Sequence, residues 1–203
     1  MSQLNLPPIA GVRAGEPGEV DKILCLLAER LESSGSTLVG AVQEDIKRTS
    51  RCRCDMTLNI LGSEFYYPIS TDLGPQSKGC RLDAGALEQA AWHVEATLKA
   101  LPVNARPGLM IINKFSKSES HGKGFLPAIA QALDLDIPVL CGIGRLSLDD
   151  FNAFADGHAQ LLQPGMAAID QWVKNCLSTH REKTVIMPTS IRSTRGLYPG
   201  ING

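Results

Sequence analysis

Three polar stretches of this chain carry residue types able to do chemistry, and each sits beside an apolar segment. The first is Gly15-Glu16-Pro17-Gly18, between a short strand pattern at Ile9–Ala14 and a helical pattern starting at Glu19. A strand, a glycine-rich turn and a helix start can cradle phosphate, because backbone N–H groups and the helix dipole then face the anion. The full cradle motif, G-x-x-x-x-G-K-[ST], adds a lysine for the phosphate charge and a hydroxyl for magnesium. Counted back from Gly18, Arg13 stands at the first glycine, Glu19 at the lysine and Val20 at the hydroxyl. Glu16, Glu19 and Asp21 suit the positive end of a helix dipole, and they repel a phosphate there.

The second stretch, Asn113–Gly124, holds Lys114, Lys117 and Lys123, one histidine (His121) and one acid (Glu119). Magnesium-dependent phosphate chemistry needs a carboxylate at the end of the strand that precedes such a loop. Asn113 occupies that place and Lys114 follows, so a metal site is lost and an anion site becomes available. The third stretch is Leu73–Asp83. Lys78 and Arg81 bring charge to it, Ser77 a hydroxyl, and Gly79 allows close approach of the backbone to a ligand. Arg81 is able to grip an oxyanion through two parallel N–H bonds, or to pair with Asp83 or Asp55.

Cys52 and Cys54 lie on a further polar loop, residues 44–54, and Cys80 on the third stretch, next to Arg51, Arg53 and Arg81, which would lower a thiol pKa. Cys54 and Cys80 are therefore the candidate thiol or metal pair, although their spacing is not that of a zinc ribbon. Cys25, Cys141 and Cys176 fall on apolar patterns and read as core residues. His93, His158 and His180 are isolated. No Ser/His/Asp arrangement or paired carboxylates support hydrolytic chemistry of those kinds.

Apolar spacing must supply the elements that position these loops. A helix is predicted over Glu19–Ser33, with Val20, Ile23, Leu24, Leu27 and Leu31 on one face and Gly35 stopping it. Thr37–Gln43, Leu109–Ile112 and Pro138–Gly142 read as buried strands, and residues 44–54 and 113–124 as loops. Met56–Leu61 and Glu64–Ile69 flank Gly62-Ser63 as a hairpin. Asp83 caps a helix reaching about Leu101. Further helices are predicted over Phe125–Leu133, Ser147–Ala155 and Ala167–His180. This alternation predicts an α/β three-layer sandwich with a mostly parallel sheet. Ligands of such sheets bind beyond the carboxyl ends of the strands, here loops 13–19, 43–54, 70–82, 113–124 and 142–147.

Composition narrows the classes. Hydrophobic residues make up 43% and charged residues 20%, as in a soluble globular chain. Twenty basic against 21 acidic residues argue against a dedicated nucleic-acid binder. No apolar run approaches the ~18–20 residues of a membrane helix. The N-terminus shows no export signal, which makes the cytoplasm the expected location and keeps the six cysteines reduced. A single domain is expected over residues 1–180, with 181–203 as a basic extension carrying Arg192 and Arg195.

Several segments carry a resemblance. Cys54-Asp55-Met56, Ser70–Gly74, Gly79-Cys80-Arg81-Leu82-Asp83, Ala86-Leu87-Glu88, Asn113-Lys114-Phe115 and Ile137-Pro138-Val139-Leu140 resemble a bacterial family of unknown function. Its members are typically encoded beside molybdate-transport genes. The resemblance covers about residues 8–165, and Gly-Cys-Arg-Leu-Asp is its most specific part. The family is in turn similar to small P-loop nucleoside-triphosphatases, in which an Asp-Glu-x-Gly loop precedes a helix and a Pro-Val-Leu strand. The resemblance implies a degenerate P-loop fold and a link to molybdenum handling. This chain departs from the triphosphatase pattern at the catalytic positions, so activity does not follow from fold.

The resulting expectation is a non-hydrolytic protein that binds an oxyanion such as molybdate, or a nucleotide. Gly15, Gly18, Lys78, Gly79, Arg81, Asn113, Lys114, Lys117 and Lys123 form its site, and magnesium-nucleotide is the less favoured ligand. Its expected partners are the small anion and molybdate-transport or molybdenum-cofactor proteins, with self-association open. Two alternatives stand beside it. One is an active triphosphatase or kinase with an atypical phosphate loop. The other is a metal or sulfur carrier using Cys54 and Cys80.

Overall fold

Alternating short apolar runs and amphipathic stretches build a central sheet covered by helices on both faces. The computed structural model describes residues 8–13, 15–46, 55–71, 81–102 and 106–185. Strand β1 is Ile9–Val12, buried at every position. Helix α1 spans Glu19–Ser33 and buries Val20, Leu24, Leu27 and Ala28, one stripe at helical spacing. Then come β2 (Leu38–Ile46), β3 (Asp55–Ile60) and β4 (Tyr66–Pro68). Two short strands, β5 (Ser70–Thr71) and β6 (Arg81–Leu82), pair with each other outside the main sheet. Asp83 accepts the Ala86 N–H at 3.0 Å and so caps α2, Ala84–Lys99. The rest of the order is β7 (Leu109–Phe115), α3 (Lys117–Ser120), α4 (Leu126–Asp134), β8 (Val139–Ile143), α5 (Leu148–Ala155), β9 (Ala159–Leu162) and α6 (Met166–Val185).

The main sheet has the order β4-β3-β2-β7-β8-β1-β9. It is parallel from β2 to β9 and antiparallel where β3 and β4 extend it. Alternate residues of the strands feed two cores. Met110, Ile112, Val139 and Cys141 pack with Leu87, Val94, Ile129 and Phe151 from α2, α4 and α5. Leu109, Ile111, Leu140 and Val12 pack with Leu24 and Leu27 of α1 and with Ile169 and Trp172 of α6. The expected three-layer α/β sandwich is the observed architecture. Gly40 lies at φ +122°, and a Cβ there would run into the backbone of Ile111, so only glycine lets β2 sit this close to β7.

Local boundaries differ from the sequence reading at several points, four of them at sheet edges and element ends that matter for the site. Strand β2 continues through Glu44 to Ile46, a segment whose polarity reads as loop, because these residues pair with β3 beyond the parallel part of the sheet. The antiparallel ladder with β3 satisfies the backbone of this segment. Strand β7 takes in Asn113, Lys114 and Phe115. Strand β9, which the apolar pattern does not announce, adds an edge beside β1. Helix α6 runs past His180 to Val185, across the expected domain boundary, and residues 186–203 lie outside the described ones.

Candidate functional site

The carboxyl ends of β1, β7 and β8 lie at the N-terminus of α1, the end of the sheet at which doubly wound folds hold ligands. Parallel pairing places Val12, Gly142 and Asn113 in one row across β1, β8 and β7. One residue beyond this row lies Arg13, and Gly15 is exposed in the turn that follows. Gly18 adopts φ +77° at the cap of α1, a left-handed conformation that favours glycine. Glu19, in the lysine's place, turns back so that its Oε2 accepts the Glu16 N–H at 3.4 Å.

The end of β7 is irregular. Asn113 pairs with Gly142 and Phe115 with Ile143, which leaves Lys114 as an extra residue, a β-bulge. Without the bulge Phe115 would share a face with Ile111 and Asn113. Instead its ring joins Phe151 and Phe154 in the opposite core, with centroids 5.4 and 5.8 Å away. Bulges re-aim side chains in this way. Lys114 is turned to α1, where its Nζ donates to Asp21 Oδ1 at 3.1 Å and Oδ2 at 3.4 Å. Asp21 is buried in the first turn of α1, and Lys114 is a third exposed.

Asn113 is 1% exposed, and neither its Oδ1 nor its Nδ2 has a hydrogen-bond partner among the described residues. Its amide lies under the first turn of α1. The point a Gly142 Cβ would occupy is 3.0 Å from Asn113 Oδ1 and 2.6 Å from Val20 Cγ1. Buried polar groups are normally paired, so an orphaned one at this end of the sheet marks a place for a further polar partner.

The loop after β7 is held by two acids. Buried Glu119 accepts from the Ser116 N–H at 2.9 Å, the Ser116 hydroxyl at 3.1 Å and the Phe125 N–H at 3.1 Å. Glu88 of α2 accepts the Gly124 N–H at 2.9 Å. Lys117 and Lys123 are exposed on this scaffold, and His121 Nδ1 lies 2.6 Å from the Lys117 carbonyl oxygen. Asn113 and Lys114 both lie at the first turn of α1, the helix that Gly18 caps. Lys117 and Lys123 project to solvent.

Two arginines absent from the sequence expectation stand at the same end of the sheet. Arg13 follows β1, and its Nη2 donates to the Arg145 carbonyl at 3.4 Å on the loop after β8. Both are exposed, and neither forms an ion pair among the described residues. Beside them Leu146 is 96% exposed and Ser147 is buried at the start of α5. Counting Arg13 only as a fault in the glycine motif hides it. The signal that finds the pair is position: both residues follow the carboxyl ends of adjacent parallel strands.

Lys78, Gly79, Cys54 and Cys80 lie outside the described residues. Arg81 is in β6, its backbone paired with Thr71. Among the described residues no cluster of three or more His, Cys, Asp or Glu could hold a metal. Burial pushes the Cys141 thiol far up, with the Glu119 charge adding to it, and pushes Cys176 up to about 12. No described helix is long and apolar enough to cross a membrane.

Residues 9–172 match the family described as protein of unknown function DUF2478. The chain belongs to this family. The DUF2478 chain is also 29% identical over 170 residues to the molybdenum import ATP-binding protein ModC 2 of Bradyrhizobium diazoefficiens. That match takes in 84% of the chain but only 18% of the relative. The solution structure of a human cancer-related nucleoside triphosphatase superposes with a TM-score of 0.56 at 16% identity, covering 85% of this chain and 97% of that one. The shared architecture is an α/β fold with a mostly parallel sheet flanked by helices. Beside Asn113 and Val20, which stand where phosphate-transfer chemistry needs a metal-binding carboxylate and a hydroxyl, the DUF2478 chain has an Asp21–Lys114 ion pair.

Proposed function

We propose that this chain is a non-hydrolytic binding protein for a tetrahedral oxyanion, either free or as a nucleotide phosphate, and that it serves molybdate import in the cytoplasm. The observation that carries the reading is the Lys114–Asp21 ion pair. It stands beside the two positions, Asn113 at the strand end and Val20 in the first helical turn, where a P-loop enzyme has its magnesium-binding carboxylate and hydroxyl. Glu19 in the lysine's place removes the remaining charge that catalysis requires. The fold keeps the helix N-terminus at this end of the sheet, which favours anions whether or not chemistry follows. The link to import rests on the ModC 2 relative, in which the matching segment is a small part of a longer protein.

Calorimetric titration with molybdate, tungstate, sulfate and ATP tests this reading. Binding of at least one, with no phosphate released from ATP in the presence of magnesium, is the expected result. No binding by any of the four overturns it. So does magnesium-dependent phosphate release that Lys114→Ala abolishes and Lys174→Ala does not.

A further inference from the structure

We infer that Arg13 and Arg145 are the charge-bearing groups of this site, clamping a doubly charged tetrahedral oxyanion against the N-terminus of α1. The inference rests on the binding function proposed above and names the residues that carry it.

The lysines offered by the sequence are poorly suited to the task. Lys114 is already neutralised by Asp21, and Lys117 and Lys123 extend from the outer part of their loop into solvent. The arginines differ in both respects. They leave adjacent parallel strands, since Val12 pairs with Gly142, and they are joined by the Arg13-to-Arg145 hydrogen bond. Neither has a carboxylate partner among the described residues. Two arginines on loops that leave adjacent strands, at the end of the sheet where α1 begins, suit an anion with two or more charges, because a guanidinium presents paired N–H donors to neighbouring oxygens.

A second and independent observation marks the same place. The Asn113 amide is buried and unpartnered among the described residues, and it sits under the first turn of α1 in the strand row one residue short of Arg13. A ligand, or water it holds, at that turn would satisfy the amide. Glu16 and Glu19 oppose an anion here, which sets a sign that can be measured. Removing the Glu19 charge strengthens binding, and removing either arginine weakens it.

The test is titration of the full chain with inorganic phosphate, molybdate and ATP, repeated on Arg13→Gln, Arg145→Gln, Glu19→Gln and a Lys117→Gln/Lys123→Gln pair. Circular dichroism and thermal melting establish that each variant is folded. For the best ligand, each arginine variant is expected to bind about 10–100-fold more weakly, the loss typical of a charge-assisted hydrogen bond. The Glu19 variant is expected to bind more tightly, and the lysine pair to change by less than about threefold, as exposed charges do. A preference for ATP over inorganic phosphate and molybdate assigns the oxyanion to a nucleotide, and the reverse assigns it to a free anion. If wild-type protein binds while both arginine variants bind within twofold of it, the clamp is wrong and the binding function stands. If wild-type protein binds none of the three, the clamp fails, and the binding function falls with it when tungstate and sulfate are not bound either.

Discussion

Lys114 Nζ lies 3.1 Å from Asp21 Oδ1, joining the bulged end of β7 to the first turn of α1 across 93 residues of sequence. The carboxylate is buried and also benefits from the helix N-terminus, while the ammonium is a third exposed. The two partners therefore differ in what their loss costs. Lys114→Met leaves Asp21 as a buried unpaired charge and is expected to destabilise by about 2–3 kcal/mol. Asp21→Asn leaves a lysine that can turn to water, for about 1 kcal/mol. Urea unfolding of both variants checks the order, and a larger cost for Asp21→Asn would contradict it.

Glu119 organises the loop after β7 through three hydrogen bonds to its carboxylate. Glu119→Gln turns one acceptor oxygen into a donor facing other donors, and a loss of about 1.5–3 kcal/mol is expected. Gly124→Ala acts on the same contact, since its Cβ would strike Glu119 Oε1 from a backbone at φ +58°. Hydrogen exchange at the Ser116 and Phe125 amides should quicken in both variants. Protection unchanged from wild type would show that the carboxylate does not hold the loop.

Asn113 is the reverse case, a buried amide that contributes no hydrogen bond to the fold. Asn113→Val, closer in volume and suited to a strand, is expected to raise stability by about 1 kcal/mol, because an unsatisfied polar group no longer has to be desolvated. Denaturant midpoints measure this directly. A loss of stability would mean that the amide is satisfied in the folded protein.

The buried thiols give a pH dependence. Cys141 and Cys176 stay protonated in the folded protein well above their ordinary value of 9.0. The unfolded chain releases those protons first. Their contribution to stability is therefore intact below about pH 9 and is lost as pH rises from there through the raised folded values. Cys141→Ala/Cys176→Ala should flatten the fall in melting temperature between about pH 9 and 11. An unchanged slope would place the alkaline sensitivity elsewhere. At about pH 8 both thiols should react with a disulfide reagent only after denaturation.

Residues with a local physical signature are legible in the chain itself. The stripe Val20, Leu24, Leu27 spells out α1, Asp83 announces the cap of α2, and the continuous apolar runs at Leu109 and Val139 announce buried strands. Strand β9 is not legible, because four residues with a half-exposed leucine carry too little periodicity to stand out. The polar ends of β2 and β7 are hidden for a related reason. Their membership in the sheet is set by backbone pairing with β3 and β8, which side-chain polarity does not report.

The sequence by itself determined the α/β class, the loops at the strand ends and the absence of the lysine, hydroxyl and carboxylate of an active phosphate loop. Each of these is written in residue type and local spacing. Only the tertiary structure decided which charges are spent and which are available. Lys114 meets Asp21 because a one-residue bulge turns it across the sheet. Arg13 meets Arg145, 132 residues away, because the strands they follow lie in parallel register. Electrostatic pairing depends on distance in space, and distance along the chain carries no record of it.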